Sequence, residues 1–267
     1  MSIRLRATVV ALLLLTPLAG VAPATAGPPR TNYDVLGDSY GSGVGVPPYD
    51  PASLGCARSQ SAYGVLVDGR ARLRLDDFVA CAGATTTSLV AGGQLAALDA
   101  DTDLVLLSIG GNDIGWSQAV TACLGGTDAQ CAGASALVRG RIATVLPGLL
   151  DTLHAKITAA APQARVVVTG YARLFSPEYG AYLGASPAEQ QVLNEGADLL
   201  NEAVAAAAAR HGFDFVDVTG RFVDHGVNAP EPWVLGAFDP AAFHPTLAGY
   251  EAYAAAVTAA IKPGRNS

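Results

Sequence analysis

The stretch DVLGDSYGSG, residues 34–43, places a small polar turn directly after an apolar run, and the serine at its centre fits two patterns. Gly37-Asp38-Ser39-Tyr40-Gly41 matches G-x-S-x-G, in which a strained strand-to-helix turn exposes a nucleophilic serine. Gly37-Asp38-Ser39 is also the opening of a second signature with different requirements elsewhere in the chain. In front of the turn, Tyr33 to Leu36 is a short apolar run ending at a glycine. Two similar runs follow, Leu104 to Ile109 before Gly110 and Val166 to Thr169 before Gly170. Continuous runs of this length, rich in β-branched residues, suit strands buried on both faces of a sheet.

Helical patterns lie between and after these runs. The clearest starts at Ser186, where Pro187 takes the first helical position and Glu189 completes a capping box. Val192, Leu193, Leu199, Leu200, Ala203 and Val204 then form an apolar stripe, and Gly212 is the expected stop. Ala136 to Ala160 is apolar at helical spacing, with Pro147 and Gly148 expected to kink or divide it. Thr246 to Ile261 reads as the closing helix. Strands alternating with helices predict an α/β chain: a parallel central sheet covered on both sides, in three α/β/α layers. Sites in such sheets lie beyond the carboxyl ends of the strands, where Ser39 and the Gly110-Gly111-Asn112-Asp113 block both fall.

The N-terminus has the form of a secretory signal. Arg4 and Arg6 make a positive segment, Ala7 to Leu18 an apolar core, and Ala24-Thr25-Ala26 a cleavage site, so residues 1–26 are expected to be removed and 27–267 to form one domain. The apolar run is shorter than the roughly 20 residues of a spanning helix, which argues against a retained anchor or stable membrane insertion. Loss of the two arginines moves the formal charge from −7 to −9. An acidic chain without a basic cluster is a poor match for nucleic acid or an anionic membrane. Four cysteines remain, Cys56, Cys81, Cys123 and Cys131, which in an exported protein read as two disulfides with three possible connectivities. They include no C-x-x-C pair and have no histidine nearby, so zinc is not expected.

The position of Ser39 decides between its two patterns. An elbow after several completed strands cannot form only a dozen residues beyond Gly27. The second pattern asks for further blocks, and they are present in order: Gly37-Asp38-Ser39, Gly83 within Cys81-Ala82-Gly83-Ala84-Thr85, Gly110-Gly111-Asn112-Asp113, and His244-Pro245. On these blocks the chain resembles the GDSL/SGNH hydrolases along nearly its whole expected mature length. Cys56 to Ser59, Cys81 to Thr85 and Gly170 to Phe175 are similar to the secreted bacterial lipase/esterase branch of that family. The resemblance implies a flavodoxin-like α/β/α fold and pairing of Cys56 with Cys81 and of Cys123 with Cys131. Members of the branch often carry a third disulfide whose cysteines are missing here, which implies a looser segment around Phe222 to Leu235.

A serine hydroxyl is a weak nucleophile until a base takes its proton. His244 is the candidate base, placed in a loop by Pro245 and followed by a capping Thr246. The resemblance implies an oxyanion hole made from the backbone N–H groups of Ser39 and Gly83 and the side-chain amide of Asn112. In the family the histidine is usually oriented by an acid three residues earlier, but that position is Ala241. The main-chain carbonyl of Ala241, the side chain of Asp239, or a more distant acid must then orient the ring. A carbonyl supports an imidazolium less than a carboxylate does, so a modest turnover or a high pH optimum is expected.

Asp38 is expected to bond backbone donors around the serine turn, and Asp113 to cap the next helix. His154, His211 and His225 have ordinary packing or helix-end explanations, and Trp116 can either line a cleft or anchor a loop. The expected function is hydrolysis of small-molecule or lipid acyl esters by an exported monomer that needs no cofactor or metal. The alternative within enzymes is a carbohydrate esterase removing acetyl groups. A noncatalytic secreted binding protein is the alternative from another class, although no residue of the four blocks has been lost.

Overall fold

The computed structural model describes residues 29–261; the segment read as an export signal lies outside them. Five parallel strands form one sheet: β1 (Thr31–Gly37), β2 (Leu73–Phe78), β3 (Leu104–Ser108), β4 (Arg165–Thr169) and β5 (Asp214–Val216), in the order β2-β1-β3-β4-β5. This is the flavodoxin-like order, and its crossover direction reverses between β1 and β3. The crevice at that switch point therefore opens between the segments after β1 and after β3. The three apolar runs coincide with β1, β3 and β4, and every residue of β3 is buried.

Eight α-helices accompany the sheet among the described residues: α1 (Ser39–Ser42), α2 (Tyr63–Leu66), α3 (Thr86–Ala91), α4 (Trp116–Gly125), α5 (Asp128–Thr144), α6 (Leu146–Ala160), α7 (Pro187–Arg210) and α8 (Leu247–Ile261). The capping box expected at Ser186 and Glu189 is present, and α7 ends just before Gly212. Helix α8 packs with α2, whereas α3, α5, α6 and α7 pack among themselves. The Ala136 to Ala160 pattern is divided at Val145. Pro147 sits in the first turn of α6, where its missing N–H costs nothing, so it opens a helix instead of kinking one.

The two disulfides pair Cys56 with Cys81 and Cys123 with Cys131, the connectivity implied by the family resemblance. Around Phe222 to Leu235 the chain is tied by other means. His225 stacks on Trp233 at a ring separation of 3.7 Å, and the Trp233 N–H donates to the His225 carbonyl at 2.9 Å. Asn228 donates to the carbonyls of Ser176 and Gly180 and accepts from the Ser176 N–H. Where the third disulfide is missing, aromatic stacking and an asparagine bridge tie this segment instead.

Candidate active site

Gly37 ends β1 with φ +138, and a Cβ there would lie 2.3 Å from the Ser108 carbonyl oxygen. Only glycine lets the chain turn this close to β3, where the Asp38 N–H donates to Ser108 O at 2.9 Å. The Gln94 amide brackets the same residue, accepting from Gly37 N–H at 2.8 Å and donating to its carbonyl at 2.9 Å. Ser39 then opens α1. The N-cap is Asp38, whose carboxylate accepts from the Tyr40 N–H at 3.0 Å.

Asp38 is buried and also accepts from Ser108 Oγ at 3.2 Å and from the Tyr171 hydroxyl. The Tyr171 oxygen in turn accepts from the Gly111 N–H at 3.1 Å. Asp38 thus binds the backbone of the serine turn, as expected, and joins it to the loop after β3. Burial pushes its carboxyl up to about 6, although its hydrogen bonds pull the other way. Tyr171 lies in the Gly170 to Phe175 block, but one sequence gives no sign that its hydroxyl faces Asp38.

His244 comes from the far end of the chain, and its Nε2 lies 2.8 Å from Ser39 Oγ. Its Nδ1 faces two main-chain carbonyls, those of Ala241 and Ala242, each at 3.1 Å. Both are acceptors, so Nδ1 carries the hydrogen and the lone pair of Nε2 faces the serine. Asp239 makes no hydrogen bond to the ring; its carboxylate accepts from the Ala241 N–H at 2.8 Å, closing an Asx turn. Burial lowers the pKa of His244 below the ordinary histidine value. The two carbonyls and the more distant Asp239 charge oppose that shift. The histidine loop is pinned to α1 by the Tyr40 hydroxyl, which donates to the Phe243 carbonyl at 2.8 Å.

Asn112 is exposed beside this pair. Its side-chain amide donates to the Ala84 carbonyl at 2.9 Å, which occupies one of its two N–H bonds. Gly83, at φ +77, is exposed on the adjoining turn. That turn is fastened to β1 by the Cys81 N–H on the Gly37 carbonyl and to Cys56 by both the disulfide and the Ala82 N–H. The N–H groups of Ser39 and Gly83 take no acceptor among the described residues.

Two expectations around this loop change. Asp113 does not cap the helix that follows it. It accepts from the Thr86 N–H and, at 2.6 Å, from the Thr86 hydroxyl, satisfying the start of α3 and joining that helix to the loop after β3. Helix α4 begins instead after Gly115. His154 is not satisfied by its surroundings: it is fully buried in α6, and both ring nitrogens lack a hydrogen-bond partner among the described residues. His211 does have one, 3.2 Å from Asp151.

A cavity of about 520 Å³ opens at Ser39, Asn112 and His244 and runs between α4 and α7. Trp116, Val120, Leu124, Leu174, Leu200 and Phe243 supply much of its wall, so the volume and lining fit an apolar ligand.

A 2-1-3-4-5 sheet with a serine block after its first strand and a histidine block before its last helix defines a hydrolase of the GDSL/SGNH class. The model of the GDSL-like lipase/acylhydrolase family matches residues 35–252, and the chain belongs to that family. It is 37% identical to a lipase from Streptomyces rimosus over 251 residues, covering 91% of this chain and 93% of that protein. The crystal structure of the extracellular lipase from Streptomyces rimosus superposes with a TM-score of 0.82 at 36% identity, over 86% of this chain and 100% of that one. Phospholipase A1 from Streptomyces albidoflavus NA297 superposes with a TM-score of 0.81 at 34% identity, over 86% and 99%. The chain is accordingly a carboxylic ester hydrolase.

Proposed function

We propose that the protein is an exported lipase/esterase in which residues 1–26 are removed near Ala26 and a single hydrolase domain from Gly27 cleaves acyl esters through Ser39. The observation that carries this reading is the 2.8 Å contact of Ser39 Oγ with His244 Nε2 at the mouth of an apolar cavity. Ser39 Oγ attacks the acyl carbonyl as Nε2 takes its proton. The tetrahedral oxyanion accepts from the Ser39 N–H, the Gly83 N–H and the remaining Asn112 N–H, donors commonly worth about 3 kcal/mol each. Nε2 then protonates the departing alcohol, leaving an acyl-enzyme. Water, deprotonated by the same nitrogen, releases the acid and restores the serine. The Ala241 and Ala242 carbonyls orient the ring throughout.

The wall of this cavity is mainly apolar, which suits an acyl chain beyond acetate better than the hydroxyl-rich rings of an acetylated carbohydrate. On this reading the protein works as a monomer, without metal, cofactor or nucleic-acid partner. No helix among the described residues is long and apolar enough to cross a membrane. Hydrolysis of p-nitrophenyl esters from acetyl to palmitoyl tests the proposal. Activity should persist on medium or long chains and fall at least about 10⁴-fold in Ser39→Ala. Activity confined to acetyl would turn the reading to deacetylation. Folded protein without any Ser39-dependent hydrolysis would remove it.

A further inference from the structure

Helix α7 contains a glycine at its middle, Gly196, where alanine would favour the helix by about 1 kcal/mol. The position is filled from outside: a Cβ on Gly196 would lie 2.8 Å from Trp116 Cζ3 and 3.2 Å from Cη2. The six-membered ring of Trp116 is therefore seated directly on the helix backbone. Behind it is a void of about 10 Å³, no larger than one water, between α4, α5 and α7 and bordered by Ala119, Ser135, Val138, Arg139, Leu193 and Gly196. In front of it is the catalytic cavity. Trp116 is the one residue that lines both spaces, while its neighbours divide cleanly: Ala197 and Val120 face the cavity, Gly196 and Ala119 the void.

We infer that Trp116, seated on Gly196, is the partition that ends the acyl-binding cavity and sets the acyl-chain length the enzyme accepts. The inference rests on the proposed acyl-ester function and assigns its specificity to one wall. Removing the indole joins the cavity to the void and opens space for further methylenes. Each methylene that gains a buried place adds about fourfold in kcat/KM, the equivalent of about 0.8 kcal/mol. Adding a methyl at Gly196 acts in the reverse sense. Its Cβ approaches the indole from the void side, so the ring shifts toward the cavity and shortens it.

The test is the ratio of kcat/KM for long to short p-nitrophenyl esters in oxidised wild type, Trp116→Ala and Gly196→Ala, each shown folded by thermal unfolding. Gly196→Ala improves helix propensity, so the comparison does not depend on the larger substitution folding well. The ratio should rise at least tenfold in Trp116→Ala, with the optimum moving to longer chains, and fall several-fold in Gly196→Ala, with the optimum moving to shorter ones. Equal losses on all chain lengths would mark Trp116 as a structural anchor and overturn the inference. An unchanged ratio in folded Gly196→Ala would overturn it too. If wild type shows no Ser39-dependent hydrolysis at all, the functional reading falls first and the partition with it. Wild-type hydrolysis with an unaltered chain-length profile in both variants sinks the partition alone.

Discussion

His244 is held by main-chain oxygens alone, and that arrangement has a pH signature. In the proposed mechanism the ring must be neutral to accept the serine proton, so kcat/KM is expected to fall as pH drops through the pKa of His244 in the free enzyme. Burial depresses that pKa, and the Ala241 and Ala242 carbonyls and the Asp239 charge only partly oppose it. The acidic limb of the profile is therefore expected below the ordinary histidine value of about 6.5. A carboxylate on Nδ1 would raise this pKa; without one, desolvation dominates and favours a low acidic limb, against the high optimum that the missing acid alone suggests. Asp239→Ala should cost less than about tenfold in kcat/KM and move the limb slightly lower, since the carboxylate serves the Ala241 N–H. His244→Ala should cost at least about 10⁴-fold. A pH-rate series on these variants decides the matter: a thousandfold loss in Asp239→Ala would make the carboxylate, and not the carbonyls, the orienting group.

Between elements, the two disulfides do different work. Cys56–Cys81 closes a separation of 25 residues and fastens the Gly83 turn to the loop ending at Cys56, while Cys123–Cys131 closes 8 and joins α4 to α5. Loop entropy gives about 3.5 and 2.5 kcal/mol of stability, respectively. Removing the first by paired serine substitution should lower kcat as well as the denaturation midpoint, because Gly83 loses its anchor; removing the second should lower chiefly the midpoint. Urea melts paired with ester kinetics would show it, and equal kcat values for the two double variants would deny Gly83 a part in the reaction. Much of this scaffold was legible in the chain. β1, β3 and β4 stand out as continuous apolar runs because both their faces are covered, and α7 because its cap and stripe agree. β2 and β5 were not anticipated: β2, LRLDDF, is an edge strand with only Leu73 buried, and β5 has three residues. The serine, histidine and asparagine were legible as blocks. Contacts made across the crevice, Tyr171 on Asp38 and Asp113 on Thr86, were not, because they join segments 133 and 27 residues apart and leave no local pattern.

Across the molecule, two buried groups oppose each other as pH changes. Asp38, raised to about 6 by burial, favours the folded state below its unfolded value of about 3.9, and that contribution is lost as pH rises through about 6. His154, lowered to about 4 by burial next to His211 and Arg210, behaves inversely. Its contribution is complete above an unfolded value of about 6.5 and is lost as pH falls through about 4, with the Asp151 charge opposing the shift without cancelling it. Each shift corresponds to about 3 kcal/mol. Asp34 and Asp113 are raised in the same sense as Asp38, so the carboxylates at the sheet mask the histidine in α6. His154→Leu removes two unsatisfied nitrogens from the core and should stabilise the protein by about 1–3 kcal/mol near neutrality. Its advantage over wild type should grow by about 3 kcal/mol between pH 6.5 and 4. Asp38→Asn loses hydrogen bonds at the serine turn, but its deficit should shrink by a similar amount as pH rises from about 4 to 6. Urea midpoints of wild type and both variants across pH 4 to 7 would separate the two slopes; parallel curves for wild type and His154→Leu would mean that the buried imidazole does not titrate differently in the folded and unfolded states.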